Sequence, residues 1–122
     1  MNKLISSVSL TLLALVPYAA QADVSGTWTS SFETQVGTQN YTYEFQVDGT
    51  TLTGKAMSAN GESALESGKV EGNTISFVEK LNFQGMELVI TYTGEVVSDN
   101  EIRFTRDVAG FAKEELVAMR KQ

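Results

Sequence analysis

From Tyr41 to Val47 the chain alternates strictly: Tyr41, Tyr43, Phe45 and Val47 fall on one side of an extended backbone, and Thr42, Glu44 and Gln46 on the other. A period of two is the mark of a half-buried β-strand, and no helix can place those four large apolar groups on one face. Asp48-Gly49 follows at once, a pair suited to the positive φ angles of a tight hairpin turn. A strand that ends in so short a turn can pair only with an antiparallel neighbour.

The same unit recurs along the chain. Trp28 and Phe32 share a face in a first run, and Leu52, Gly54 and Ala56 in a third. Ile75, Phe77, Leu81 and Phe83 line a fifth, Met86, Leu88, Ile90, Tyr92, Gly94 and Val96 a sixth, and Ile102 and Phe104 a seventh. Asn60-Gly61, Gly72-Asn73, Gln84-Gly85 and Asp99-Asn100 supply further turns. These runs predict an all-β antiparallel meander. Seven strands would leave two open edges, and an eighth over residues 115–121 would pair with the first and close an up-and-down barrel. Local propensity opposes that closure: Val108, Ala112, Leu116 and Met119 also fit a helical stripe, and Lys113, Glu114 and Glu115 favour helix. The expectation is an eight-stranded barrel, with a C-terminal helix as the alternative for the last segment.

The first 22 residues read differently. Lys3 precedes an apolar stretch of Leu4, Ile5, Val8, Leu10, Leu12, Leu13, Leu15 and Val16, and Ala20-Gln21-Ala22 forms an A-x-A cleavage site. This is the order of a secretory signal peptide, expected to be cut after Ala22. The stretch is broken by serines and Pro17 and falls short of the roughly 20 residues that span a bilayer. The remaining 100 of the 122 residues suffice for one domain, 23–122. Loss of Lys3 leaves 8 basic against 15 acidic residues, a net charge of −7. Such a surface repels phosphate backbones and anionic lipid, so neither nucleic acid nor a membrane surface is an expected partner. Insertion of the mature chain is not expected either, because it is too short for a barrel of strands of about nine to eleven residues with a lipid-facing apolar band. The expected location is the periplasm or the extracellular space.

The residue inventory narrows the chemistry. With no histidine and no cysteine, the chain has no Ser-His-Asp or Cys-His nucleophile system, no histidine-ligated metal and no disulfide. No phosphate-binding glycine loop is present, and the oxygen donors at Asp48-Gly49, Glu71-Gly72-Asn73 and Asp99-Asn100-Glu101 lack the spacing of a calcium loop and read as turn chemistry. No cofactor, metal or catalytic residue is assigned.

Two charges interrupt the apolar faces. Glu79 is in phase with Phe77 and Leu81, and Arg106 with Ile102 and Phe104. If both strands keep register, these charges point into the lumen or its mouth, where they must pair with each other or meet a polar ligand. A bulge that flips Glu79 outward, or a solvated strand end at Arg106, is the alternative. The aromatic residues serve as core, and Tyr41, Tyr43 and Tyr92 would mark a pocket by their hydroxyls.

Gly26-Thr27-Trp28 at the head of the first strand, Asp48-Gly49 before Leu52-Thr53-Gly54, and Tyr92-Thr93-Gly94-Glu95-Val96 together resemble the avidin/streptavidin and lipocalin-like calycin barrels. In that group a glycine-x-tryptophan start plugs one end of an eight-stranded meander. The resemblance implies the fold and a capacity for binding. It does not imply biotin, because avidins surround biotin with several tryptophans and Trp28 is the only one here. The resulting expectation is an exported non-enzymatic binding protein for a small amphipathic or carbohydrate-like ligand at the barrel mouth, contacted by Trp28, Tyr41, Tyr43, Glu79, Tyr92 and Arg106. A module that docks on an envelope protein, such as an inhibitor with a packed lumen, is the second reading. An enzyme using Glu79 as acid or base beside Arg106 is the third.

Overall fold

Every alternating run becomes a strand. The computed structural model describes residues 22–122, so the leader expected over 1–22 lies, Ala22 apart, outside the described residues. The strands are β1 (Gly26–Thr34), β2 (Gly37–Asp48), β3 (Thr51–Ser58), β4 (Gly61–Ala64), β5 (Glu66–Glu71), β6 (Thr74–Phe83), β7 (Met86–Ser98), β8 (Glu101–Val108) and β9 (Ala112–Arg120). All pairings are antiparallel, the sheet runs β2-β1-β9-β8-β7-β6-β5-β3-β4, and an additional β2–β3 pairing closes it into a barrel. The short β4 and β5 share one of eight positions around the wall. β4 pairs with the end of β3 and β5 with its beginning, across a register shift between Glu66 and Lys69 at which Ser67 takes a φ of 53°. No described helix is long and apolar enough to cross a membrane.

The C-terminal ambiguity resolves as a strand. β9 pairs with β8 from Val108↔Ala112 to Glu101↔Met119 and with β1 at Trp28↔Arg120 and Thr29↔Met119. Its span, Ala112–Arg120, begins earlier than the expected 115–121. Helix preference here amounts to a few tenths of a kcal/mol per residue, and it yields to two ladders and to the burial of Leu116 and Ala118. Met119, part of the helical stripe, faces outward.

The lumen is filled over most of its depth. Tyr43, Phe45, Phe77, Tyr92 and Phe104 form one aromatic cluster, with Phe77 stacked on Tyr92 at 4.3 Å and Phe104 edge-on to Tyr92 at 5.6 Å. The wall bends tightly around β3. A Cβ on Gly54, at φ +141°, would lie 1.8 Å from the Glu44 carbonyl oxygen, and one on Gly68 would lie 2.0 Å from that of Leu52. Only glycine lets the neighbouring backbones come this close.

The two ends differ. At one, Trp28 is fully buried, its Nε1 donates to the Val24 carbonyl at 3.0 Å, and the Arg120 guanidinium lies over its ring at 4.5 Å. Arg120 also donates to the carbonyls of Ser25, Asp23 and Asp99, tying the N-terminal segment and the β7–β8 turn over that end. The other end carries the β1–β2, β3–β4, β6–β7 and β8–β9 turns and stays open. Met86 shares the parity of Leu88 and Ile90 but is exposed, because the β6–β7 hairpin carries it past the mouth.

Candidate functional site

Strand register sets Tyr92, Arg106 and Glu114 directly beside one another on β7, β8 and β9. Side chains opposite one another in antiparallel strands share a face, so this row points into the lumen. Glu79 is buried on β6 at 1% exposure and Arg106 on β8 at 3%. Neither a bulge nor a frayed strand end removes them from the interior.

These groups form a single connected network. The Tyr41 hydroxyl donates to Glu79 Oε2 at 2.8 Å and the Tyr92 hydroxyl to Glu79 Oε1 at 2.9 Å, while the Tyr43 and Tyr92 hydroxyls lie 3.0 Å apart. With the Tyr92 hydrogen committed to Glu79, the Tyr43 hydroxyl donates to Tyr92. Arg106 Nη2 donates to the Tyr41 oxygen at 3.4 Å, so the two charges meet through a phenol. The guanidinium lies 5.1 Å from the centroids of Phe32 and Tyr41 and 5.5 Å from that of Tyr92, within cation–π range of all three. On its other side Arg106 Nη1 is 3.4 Å from Glu114 Oε1.

Burial governs the ionisation. It pushes the phenols of Tyr41, Tyr43 and Tyr92 upward, so all three remain protonated donors at neutral pH. It also raises Glu79 above the ordinary carboxylate range, partly opposed by the hydrogen bonds from Tyr41 and Tyr92 and by the Arg106 charge.

Above this network lies a cavity of about 130 Å³ opening through the mouth. Tyr41, Arg106 and Glu114 line its deep part, and Leu81, Leu88, Ile90, Val108, Phe83 and Phe111 form a largely apolar wall. Arg106 Nε and Glu114 Oε1 are shut off from solvent and have no hydrogen-bond partner. The Arg106–Glu114 contact is therefore an ion pair without hydrogen-bond geometry. At the rim Val36, Met86 and Phe111 expose large apolar side chains from three different hairpins, Phe111 to 80%.

Of the residues expected from sequence, Tyr41 and Arg106 line the cavity. Glu79 lies beneath Tyr41, with both oxygens occupied by phenols. Tyr43 and Tyr92 lie deeper, in the packed lumen, and join the cavity through Glu79. Trp28 sits at the opposite, plugged end. Glu114 was not foreseen; once 112–120 is read as a strand, its phase with Leu116 and Ala118 is the signal that finds it. Comparison with protein-family models, with curated proteins and with solved structures finds no match. The functional reading rests on this geometry.

Proposed function

We propose that this chain is an exported, non-enzymatic binding protein that takes a small amphipathic molecule into the open end of its barrel. The observation that carries the reading is the mouth cavity itself: an apolar wall that meets the charged pair Arg106 and Glu114. Small-molecule sites combine apolar walls with a few convergent polar groups in this way. The volume sets the scale. An apolar cavity of roughly 150 Å³ takes up benzene, so about 130 Å³ accepts one ring or a short chain end. The rest of a longer ligand would lie at the rim against Val36, Met86 and Phe111. The predominance of aliphatic and aromatic wall favours an amphiphile over a carbohydrate.

The fold supports kinship with the calycin-type barrels that the sequence resembles, since Trp28 of the Gly26-Thr27-Trp28 start plugs one end. Export to the periplasm or beyond, with cleavage after Ala22, belongs to the same reading. N-terminal sequencing of exported material is expected to begin at Asp23. Retention of the leader would place the chain elsewhere.

A thermal-shift screen of short amphiphiles tests the proposal. A ligand at a hundred times its Kd stabilises the native state by about 2.7 kcal/mol, which raises the Tm of a domain this size by roughly 10–20 °C. Replacing Leu88 by arginine, to fill the cavity with charge, should abolish the shift. Flat melting curves across alcohols, amides, acids and amines would overturn the reading.

One observation favours the second reading, a module that docks on an envelope protein: the lumen below the mouth is packed, while Val36, Met86 and Phe111 crown the rim. A stoichiometric complex lost on Phe111→Ser, with no small ligand bound, would decide for it.

A further inference from the structure

The open end of the barrel carries its most exposed apolar side chains on turns without charge, and from this we infer that the mouth docks, tips first, on the surface of a zwitterionic lipid bilayer. The inference goes beyond binding of a small molecule in the cavity and does not depend on it.

Among the described residues the three most exposed large apolar side chains are Phe111 at 80%, Val36 at 66% and Met86 at 61%. They stand on the β8–β9, β1–β2 and β6–β7 hairpins and so ring the opening. Apolar side chains collected at one end of a molecule mark a surface that meets another apolar phase. The segments that carry the four mouth turns, 34–38, 58–61, 82–86 and 108–112, contain no charged residue. The turns at the plugged end carry Asp48, Glu71, Asp99 and Glu101 instead. Net charge alone sets a membrane surface aside, but none of that charge lies on the mouth tips.

The tips also satisfy backbone amides internally. Val36 N donates to Thr34 Oγ1 at 3.1 Å, Asn60 N to Ser58 Oγ at 3.2 Å, Gly85 N to Asn82 Oδ1 at 3.2 Å and Gly110 N to Asp107 Oδ1 at 2.9 Å. Phe111 N donates to the Val108 carbonyl at 2.8 Å. An amide already paired costs less to remove from water. Shape then decides the occupant. A stable protein interface buries about 800 Å² on each partner in well-packed contact. Three separate tips around an opening do not present such a face, either to a second copy of this chain or to another protein. A fluid bilayer closes around each tip on its own. An acidic residue borders every mouth segment, Glu33, Glu62, Glu87 and Asp107, with Lys113 the one basic neighbour. Anionic headgroups are therefore repelled, and zwitterionic ones fit.

Flotation of the mature chain with vesicles tests this, using phosphatidylcholine alone and phosphatidylcholine with about 30% phosphatidylglycerol, each at about 10 and about 150 mM salt. The protein should float with phosphatidylcholine at both salt concentrations. At low salt the anionic vesicles should take up several-fold less, and the gap should narrow at high salt as repulsion is screened. Phe111→Ser should lower uptake roughly tenfold, and the triple variant with Val36→Ser and Met86→Ser should abolish it. Melting temperatures should not fall, because all three side chains are exposed. Brominated phosphatidylcholine should quench Phe111→Trp but not the unaltered protein, whose Trp28 lies at the plugged end. Absence of uptake by either vesicle, undiminished uptake of the triple variant, or quenching of Trp28 in the unaltered protein would overturn the assignment. So would a dimer, or a complex with another protein, that Phe111→Ser dissolves while vesicles are ignored. A flat thermal-shift screen leaves vesicle docking standing, and loss of vesicle docking leaves the mouth cavity standing.

Discussion

Replacing Glu79 with leucine is expected to destabilise the barrel by about 3–5 kcal/mol, the range for removing one partner from a buried charged network. Leucine nearly matches the volume, so the cost comes from the groups left behind. The Tyr41 and Tyr92 hydroxyls each lose their acceptor, and Arg106 loses an anion one phenol away. Every one of these groups is buried, so water cannot replace the missing oxygens without opening the barrel. Urea unfolding followed through Trp28, the sole tryptophan, measures the loss. A change below about 1 kcal/mol would mean that the network adds nothing beyond its packing. Glu79→Gln should be milder, since the amide oxygen still accepts from one phenol and the NH₂ can donate to the other.

The pair of variants also carries a pH signature whose sign follows from burial. Because desolvation raises the Glu79 pKa in the folded protein above its ordinary 4.5, the native state binds the proton more tightly than the unfolded chain does. The stabilisation from that proton is complete below the unfolded value and is lost as pH rises through the folded one. The advantage of the unaltered protein over Glu79→Gln should therefore shrink from pH 4 upward and level off once Glu79 is ionised in both states. Parallel stability curves for the two proteins from pH 4 to 8 would show that Glu79 does not titrate differently on folding.

Much of this architecture is legible because half-buried strands write their faces into the sequence. Tyr41, Tyr43 and Phe45 are inward in the structure as in the pattern, and so are Ile90, Tyr92 and Gly94. Glu79 and Arg106 were legible only in part: their phase with buried neighbours pointed inward, but a bulge at Glu79 or a solvated strand end at Arg106 would have met the same pattern, and only burial in the structure excludes both. The fourth wall position was the obscure one. Over Gly61–Glu71 only Val70 is fully buried and the strand breaks at a bulge, so little alternation survives to be read. β9 was ambiguous because its local preference is helical and its strand state depends on two ladders, one to β8 and one to β1 some 90 residues away in sequence. Glu114 was hidden by that ambiguity. A mouth site was expected, but the depth and wall of its cavity were not legible, because they depend on how far four hairpins project and not on the parity of any one strand.

Trp28 offers the sharpest separation of stability from binding. Its truncation to alanine is expected to cost about 3–5 kcal/mol, as for other buried large aromatics, and enough to unfold a marginal domain. The loss compounds: the Val24 carbonyl loses its donor, Phe45 loses a ring 6.5 Å away, and Arg120 loses the face on which it stacks while bridging Ser25, Asp23 and Asp99. Trp28→Phe keeps a ring in place and should cost about 1–3 kcal/mol, chiefly for the orphaned carbonyl and the residual void. Far-UV circular dichroism must follow both, since each removes the only tryptophan. In the phenylalanine variant the affinity of the mouth for a short amphiphile found by thermal shift should stay within about twofold of the unaltered protein, because Trp28 is not among the residues that line the cavity and distant sites act independently. If Trp28→Phe remains folded yet loses that amphiphile, the ligand reaches the tryptophan and the binding site lies in the depth of the barrel instead of at its mouth.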